Sequence, residues 1–286
     1  MKAITSTFLP NHNHSELSLK KVKNHKSDYC FSLITGASKG LGKEYALHLA
    51  ELGHNLILTS LPNENLSELC EIIKNLNTKI KVYYFEVDLS NAEEIKEFTS
   101  IINQAFNINV LINNAGIGGT KKIDKVPTDY LLNIIDVNIK AGVILTHQLL
   151  PNLRKQHKSY ILNVSSVAAF SPVGYKTVYP ASKAFIHWFS LGLAEELKNS
   201  NISVSVITPG SMKTNPEVTS RINSQNFIGK SIVLDPKMVA RKSIQKMLHK
   251  ESLILLNPIS YFITMLLPLR FKIRILTKLI KKELQE

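Results

Sequence analysis

The amino-acid sequence predicts a doubly wound α/β fold, a single domain in which a parallel seven-stranded sheet carries helices on both faces. Short β-branched or aromatic runs alternate with segments whose apolar residues recur every three or four positions. No hairpin turn signals join consecutive runs, which favours right-handed crossovers and a covered parallel sheet. A glycine-rich turn follows the first run, as in folds that bind ligands at the carboxyl ends of their strands.

The predicted elements follow one another in a regular order. Each run is followed by a helical segment, the first of which has Tyr45, Leu49 and Leu52 at helical spacing. The strands are predicted at Phe31–Thr35, Asn55–Thr59, Lys81–Val87, Val110–Asn113, Tyr160–Ser165, Ser203–Thr208 and Leu253–Leu256.

The 286 residues suit one large domain, which we expect to span residues 29–258. Residues 1–28 have no apolar stretch of signal-peptide length and are expected to be a polar, basic and flexible extension. The most apolar run, Leu253 to Leu269, contains Pro258 and Pro268, which disfavours a membrane-spanning helix. Residues 259–286 are expected to be a basic amphipathic tail.

The net charge of +13 is concentrated near the two ends of the chain. An anionic partner is therefore expected, but not nucleic acid, because the basic clusters lack interleaved aromatic residues and match no nucleic-acid-binding signature. Cys30 and Cys70 form no Cys-x-x-Cys pair, which argues against structural zinc and favours a reducing, cytoplasmic setting. His147 and His187 lie in helical segments and match no metal motif, so no metal site is predicted.

The turn from Thr35 to Gly42 suits a bound dinucleotide. Glycines at 36, 40 and 42 allow a tight turn, bring backbone amides close to a pyrophosphate, and let the next helix pack on the strand. The same residues fit the nucleophile elbow of an α/β-hydrolase with Ser38 as nucleophile, although that elbow usually follows several strands. A Walker phosphate loop fails on spacing, because Gly42-Lys43 would need a glycine at Ala37.

Over residues 29–256 the motifs resemble those of the short-chain dehydrogenase/reductase family, which has a Rossmann-type fold, and they occur in the family's order. Asn138, Ser166, Tyr179 and Lys183 resemble its catalytic tetrad. The resemblance implies a cofactor site that includes Tyr179 and Lys183 and is completed by Gly36, Ser38, Lys39, Gly40, Leu41, Gly42, Asp88, Leu89, Asn114, Ala115, Gly116, Pro209, Gly210 and Thr214.

The tetrad residues have complementary chemistry. Tyr179 and Lys183 are four residues apart on a predicted helix and so share a face. A nearby ammonium favours the phenolate form of Tyr179, which can then exchange a proton with the substrate oxygen. The resemblance implies that Ser166 donates a hydrogen bond to that oxygen and that Asn138 holds a water linking Lys183 to solvent.

The expected function is NAD(P)-dependent hydride transfer between the cofactor and a carbonyl or secondary alcohol. A non-catalytic dinucleotide sensor and a hydrolase using Ser38 are the alternatives. Val167, Phe170, Val173 and Tyr175 favour an apolar substrate, such as a fatty-acyl or steroid-like ketone. Met212, Val218 and Ile222, in the segment that follows Gly210, could close over it.

We expect NADP(H) to be preferred over NAD(H). The second strand ends at Leu58-Thr59-Ser60-Leu61 without the carboxylate that typically selects NAD, and Glu64 comes only after Pro62. The ammonium of Lys39 could pair with a 2′-phosphate.

The tail predicts a helix from about Leu269 to Leu284, with Ile273, Leu276 and Ile280 on one face. Two alternatives are open: this helix lies on an anionic membrane surface, giving peripheral membrane association, or it packs on its own sheet or across a subunit interface. The family resemblance implies a homodimer or homotetramer.

Overall fold

The computed structural model describes residues 29–212, 233–256, 261 and 266–283. The predicted extension at residues 1–28, together with Thr214, Val218, Ile222 and Leu284, therefore lies outside the described residues. The strands are β1 (Cys30–Thr35), β2 (Asn55–Ser60), β3 (Val82–Glu86), β4 (Asn107–Asn113), β5 (Ser159–Val164), β6 (Ile202–Ile207) and β7 (Leu253–Ile254).

Eight α-helices are described around this sheet, with short 3₁₀ helices at Ile123–Lys125 and Val167–Phe170 and a π-helical turn at Asp136–Lys140. The α-helices are α1 (Gly40–Glu51), α2 (Leu66–Leu76), α3 (Ala92–Ala105), α4 (Thr128–Ile135), α5 (Ala141–Arg154), α6 (Val178–Glu196), α7 (Pro236–Leu248) and α8 (Leu269–Glu283).

The seven strands form one sheet in the order β3-β2-β1-β4-β5-β6-β7, and every pairing is parallel. The doubly wound α/β prediction is therefore confirmed, with most predicted strand ends within a residue or two of the observed ones. β4 begins at Asn107, three residues before its predicted start, because Asn107 and Ile108 also pair with β1 across a register shift. An irregular pairing of this kind has no clear alternating pattern in the sequence.

The sheet separates two apolar clusters, one on each face. Leu56 and Leu58 of β2 belong to the cluster beneath α1, α2 and α7. Ile57, between them, belongs to the cluster beneath α3, α5 and α6. This division follows from the strand period, since successive side chains point to opposite faces. A buried hydrogen bond of 2.9 Å between Tyr45 Oη and Ser243 Oγ joins α1 to α7.

The order of the strands also fixes where a ligand can bind. The chain runs outward from β1 through β2 to β3 and then returns to β4 on the other side of β1. The crossovers diverge at this point, which leaves a crevice at the carboxyl ends of β1 and β4. In the part of the chain that the structure describes, no helix combines the length and the apolar character that crossing a bilayer requires.

Candidate active site

The glycine-rich turn between β1 and α1 suits a bound pyrophosphate. Gly36 and Gly40 have φ angles of +63° and +56°, which residues with a Cβ rarely adopt. Helix α1 starts at Gly40, and the side chain of Lys39 makes no capping hydrogen bond to its first N–H groups. The first turn of α1 contains no acidic residue. Uncapped amides and the positive end of the helix dipole therefore face the crevice, as a phosphate requires.

The Asn-Ala-Gly motif after β4 is locked onto this turn. The side-chain amide of Asn114 donates to the carbonyl oxygens of Thr35 and Gly36, at 2.9 and 3.1 Å. The Thr35 hydroxyl oxygen accepts the backbone N–H groups of Asn114 and Ala115, each at 3.0 Å. These bonds hold the ends of β1 and β4 together. Gly116 follows directly and leads toward the tetrad.

The predicted cofactor contacts Asp88 and Leu89 lie after β3. The carboxylate of Asp88 accepts the backbone N–H and the hydroxyl of Ser90, at 2.9 and 2.8 Å. Leu89 is buried and lines a pocket at the carboxyl ends of the strands together with Thr35, Ala115 and Lys183. The structure therefore places Leu89 beside the motif residues of β1, β4 and α6.

Tyr179 and Lys183 share one face of α6. The Lys183 ammonium lies 6.0 Å from the centre of the Tyr179 ring. It donates a hydrogen bond of 2.9 Å to the carbonyl oxygen of Val164, at the end of β5. Ser166 lies two residues further on, and its Oγ accepts the backbone N–H of Ala168 at 3.2 Å. That bond leaves the hydroxyl hydrogen of Ser166 available for an oxygen of a substrate.

Asn138 is buried in the π-helical turn between α4 and α5. Its Oδ1 accepts the N–H of Ile117 at 2.8 Å, and its Nδ2 donates to the carbonyl oxygen of Ile117 at 2.8 Å and to Ser182 Oγ at 2.9 Å. A Cβ on Gly116 would stand 3.1 Å from Lys183 Nζ and 3.3 Å from Asn138 Oδ1. The absence of a side chain at Gly116 thus keeps the space between Lys183 and Asn138 open.

Lys183 is buried, and this burial lowers its pKa from 10.5 to about 8. A buried ammonium loses the hydration that stabilises its charge in water, and here a backbone carbonyl replaces only part of it. A strongly shifted titratable group in a crevice is typical of functional sites.

Replacing Lys183 with methionine is expected to raise the free energy of unfolding at pH 7. Because the pKa is lower in the folded chain, the unfolded chain binds more protons between about pH 8 and pH 10.5, and the cost of burial is fully present below pH 8. The shift corresponds to roughly 3 kcal/mol, of which about 1 kcal/mol is offset by the lost hydrogen bond to Val164, leaving a gain of about 2 kcal/mol. Chemical unfolding of the wild type and the variant at pH 7 and at pH 10 measures this gain in the free energy of unfolding.

The gain should shrink as the pH rises from 8 to 10.5, because folded wild-type Lys183 loses its proton near pH 8 whereas the unfolded chain keeps it until about pH 10.5. Lys155→Met, at an exposed lysine, is the matched control and should show no such pH-dependent gain. A stability difference between wild type and the Lys183 variant that is equal at both pH values would contradict the interpretation.

The segment after β6 lies beside the tetrad. The carbonyl oxygen of Pro209 accepts the N–H of Val167, next to Ser166, at 3.1 Å. Gly210 follows it, and among the described residues a Cβ there would come within 4 Å of Leu234 alone, at 3.8 Å. Thr214 is outside the described residues, so its predicted contact is not placed.

Two functional candidates were missed by the sequence reasoning. Glu64 accepts hydrogen bonds from Lys39 Nζ at 2.7 Å and from Ser38 Oγ at 3.1 Å, and so lies against the glycine-rich turn. Gly118 lies against Tyr179, since a Cβ there would stand 3.0 Å from the ring atom Cδ2. The sequence did carry a signal for a turn at Glu64, because asparagine tolerates the left-handed conformation. Asn63 and Asn65, on either side of Glu64, have φ angles of 63° and 57°.

The contacts of Ser38 also bear on the hydrolase alternative. A serine nucleophile needs a histidine base at its hydroxyl. The Ser38 hydroxyl instead donates to the carboxylate of Glu64. His147 is exposed, and His187 is buried with its ring against Phe170 and Trp188, at centroid distances of 4.9 and 5.0 Å. Among the residues that the structure describes, no group of three or more potential metal ligands comes together.

Comparisons with known proteins agree with this arrangement. The family model described as short chain dehydrogenase matches residues 31–225. An uncharacterized oxidoreductase of Staphylococcus saprophyticus is 30% identical over 214 residues, which cover 74% of this chain and 88% of the relative. A short-chain dehydrogenase from Sphingobium yanoikuyae in complex with NADPH is 25% identical, with a TM-score of 0.72, over 82% of this chain and 91% of that one.

A bulky-bulky ketone specific alcohol dehydrogenase from Comamonas testosteroni is 25% identical, with a TM-score of 0.70, over 81% of this chain and 87% of that one. The matched part of this chain contains β1 from Phe31 onward, β2 to β6 and all four residues of the predicted tetrad. The chain is thus an oxidoreductase that belongs to the short-chain dehydrogenase family.

Proposed function

We propose that this oxidoreductase transfers a hydride between NADP(H) and an apolar ketone or secondary alcohol, with Tyr179 as general acid and base. The observation that carries the proposal is the placement of Tyr179 beside the buried ammonium of Lys183, which is bonded to the carbonyl oxygen at the carboxyl end of β5. The turn with Gly36 and Gly40 and the helix start fit a dinucleotide phosphate, so the residues present suit this cofactor.

Each tetrad residue has one role in this proposal. NADP(H), when bound, supplies or accepts the hydride. In the direction of reduction, the Tyr179 hydroxyl gives its proton to the substrate oxygen, and in oxidation it takes that proton back. The charge of Lys183 favours the phenolate form of Tyr179, and Ser166 donates a hydrogen bond to the substrate oxygen. Asn138 accepts a hydrogen bond from the backbone N–H of Ile117. It also holds a water, in the open space beside Gly116, that returns protons to Lys183.

The substrate side of the site favours an apolar compound. Val167, Phe170, Val173 and Tyr175 all lie in the segment between Ser166 and Tyr179, and none of them is fully buried. A site of this composition would lose little by desolvation against an apolar ketone but would leave the hydroxyl groups of a sugar unpaired. The similarity to a bulky-ketone alcohol dehydrogenase supports the same class.

A panel of ketones, fatty-acyl ketones and polyols tests the function through the change in nicotinamide absorbance. We expect the highest kcat/KM for a bulky apolar ketone with NADPH. Higher kcat/KM values for small polyols would overturn the substrate class. Tight cofactor binding without turnover of any compound would instead support the alternative of a non-catalytic sensor.

The preference for NADP(H) rests on Lys39, and the structure adds a competing carboxylate. The side chain of Lys39 is 57% exposed and pairs with Glu64 at 2.7 Å. The hydrogen bond from Lys39 lowers the pKa of Glu64, so this carboxylate stays charged at neutral pH. A 2′-phosphate must therefore draw Lys39 away from Glu64, or bind beside it. Because a phosphate carries more charge than a carboxylate, we expect it to win this competition.

Lys39→Ala is expected to lower the preference for NADPH over NADH by about tenfold to a hundredfold, the usual worth of a charge-assisted contact. Glu64→Gln should raise the preference for NADPH over NADH, because the variant removes the charge that competes for Lys39. Calorimetric titration with 2′,5′-ADP and with 5′-AMP measures the same difference without catalysis.

Lys81→Ala is the control for removing a cation, since Lys81 precedes β3 at the amino ends of the strands, opposite the crevice. The Lys81→Ala variant should prefer NADPH over NADH by the same factor as the wild type. A wild-type preference for NADH, or an unchanged preference after Lys39→Ala, would show that Lys39 does not select the cofactor.

We also propose that the protein works in the cytoplasm as a homodimer or homotetramer. Phe185 and Trp188 of α6 are exposed, and Phe185 stacks on Phe189 with ring centres 6.0 Å apart. Large apolar side chains on one helix favour a subunit contact. Light scattering of the purified chain tests this, and a monomer mass would contradict it.

A further inference from the structure

Helix α8 has an inner face that holds the segment between Ser166 and Tyr179. Lys272, buried on that face, donates from Nζ to the carbonyl oxygen of Phe170 at 3.2 Å. Five residues further along α8, the Thr277 hydroxyl accepts the N–H of Gly174 at 2.9 Å. The position of α8 over the substrate side of the site is therefore set by two hydrogen bonds to that segment.

The outer face of α8 is apolar and basic. Phe271, Ile275 and Leu279 follow one another at intervals of four residues and are 54%, 42% and 53% exposed. Helical residues four apart are neighbours, so these three side chains form one stripe over about two turns. We call this stripe, together with the exposed cations beside it, the outer face. Those cations are Arg270, Arg274, Lys278 and Lys281.

Carboxylates are scarce along this helix, since residues 266–282 contain neither aspartate nor glutamate and the first acidic residue of α8 is its last, Glu283. Leu266, Leu267 and Leu269 extend the exposed apolar surface at the start of α8. An isolated exposed leucine is ordinary, but a contiguous apolar stripe flanked by cations is the pattern of a helix that lies in a membrane interface.

We propose that the outer face of α8 docks on an anionic lipid bilayer. The apolar stripe would enter the boundary between headgroups and acyl chains, while the flanking cations would contact lipid phosphates. A second copy of this chain suits the surface less well, because four cations on each partner would repel one another. The docking itself does not depend on the proposed function. If that function holds, the inner face places the substrate segment beside the bilayer, where apolar ketones partition.

Cosedimentation of the full chain with vesicles tests the proposal. Vesicles of phosphatidylglycerol and phosphatidylcholine should pellet the wild-type protein, whereas phosphatidylcholine alone should pellet much less of it. The double variant Ile275→Ser/Leu279→Ser should fall at least tenfold in bound fraction on the anionic vesicles. Arg274→Gln/Lys278→Gln should also bind less, and salt should weaken the wild type because it screens the charges.

The matched control is Ile72→Ser/Leu76→Ser, which removes two exposed apolar residues at the same spacing from α2. It should pellet as the wild type does, and thermal unfolding should show that all variants are folded. Equal recovery on anionic and neutral vesicles would overturn the proposal, as would unchanged binding of the α8 apolar variant. A lower molar mass of that variant in light scattering would also overturn it, because the outer face would then be a contact between two copies.

Discussion

Replacing Tyr179 with phenylalanine is expected to lower kcat by about a hundredfold to ten-thousandfold, the usual contribution of a positioned general acid or base. The phenylalanine ring keeps the packing against Gly118 but has no proton to give to the substrate oxygen. NADPH affinity should change little, because the glycine-rich turn and the start of α1 stay intact. Steady-state kinetics on the best ketone, together with a binding titration of NADPH, separates the two effects.

Tyr29→Phe is the matched control, since Tyr29 is exposed and precedes β1 at the amino ends of the strands, opposite the crevice. It should retain the wild-type rate. A Tyr179 variant that keeps more than a tenth of the wild-type kcat would show that another group transfers the proton. An equal loss of NADPH binding and of turnover would point to misfolding of the site rather than to lost chemistry.

Replacing Gly42 with alanine is expected to destabilise the fold by about 3 kcal/mol or more, at the upper end of the cost of overpacking. A Cβ at this position would stand 2.0 Å from the carbonyl oxygen of Gly36 and 2.6 Å from Asn114 Nδ2. Neither group can move freely, because the Asn114 amide is bonded to the carbonyls of Thr35 and Gly36. Helix α1 would have to shift away from the turn, so NADPH binding should be lost as well.

Chemical unfolding and a cofactor titration measure these effects. Gly192→Ala is the control, because Gly192 lies within α6 and a Cβ there would meet none of the described residues within 4 Å. That variant should be more stable by about 0.5–1 kcal/mol, since alanine loses less backbone entropy in a helix. Wild-type stability of the Gly42 variant would mean that α1 is packed less closely on the turn than the structure shows.

The order and type of the strands and the position of the crevice were predictable from the sequence. Alternating and helical periods depend on which residues lie close together along the chain, and the parallel connections follow from the absence of hairpin turns. The sequence also predicted that the glycine-rich turn and Asn114 each follow a strand. Their meeting depends on β1 and β4 being neighbours in the sheet, and the hydrogen bonds through Thr35 depend on the register of these two strands.

The sequence by itself determined the doubly wound sheet, the glycine-rich turn at the start of a helix and the spacing of Tyr179 and Lys183. Only the tertiary structure decided that Glu64 folds back onto Ser38, 26 residues earlier, and that Lys272 is buried against Phe170, 102 residues earlier. It likewise decided which face of α8 stays exposed. Helical periodicity identifies an apolar face, but only the path of the whole chain determines whether another segment covers it.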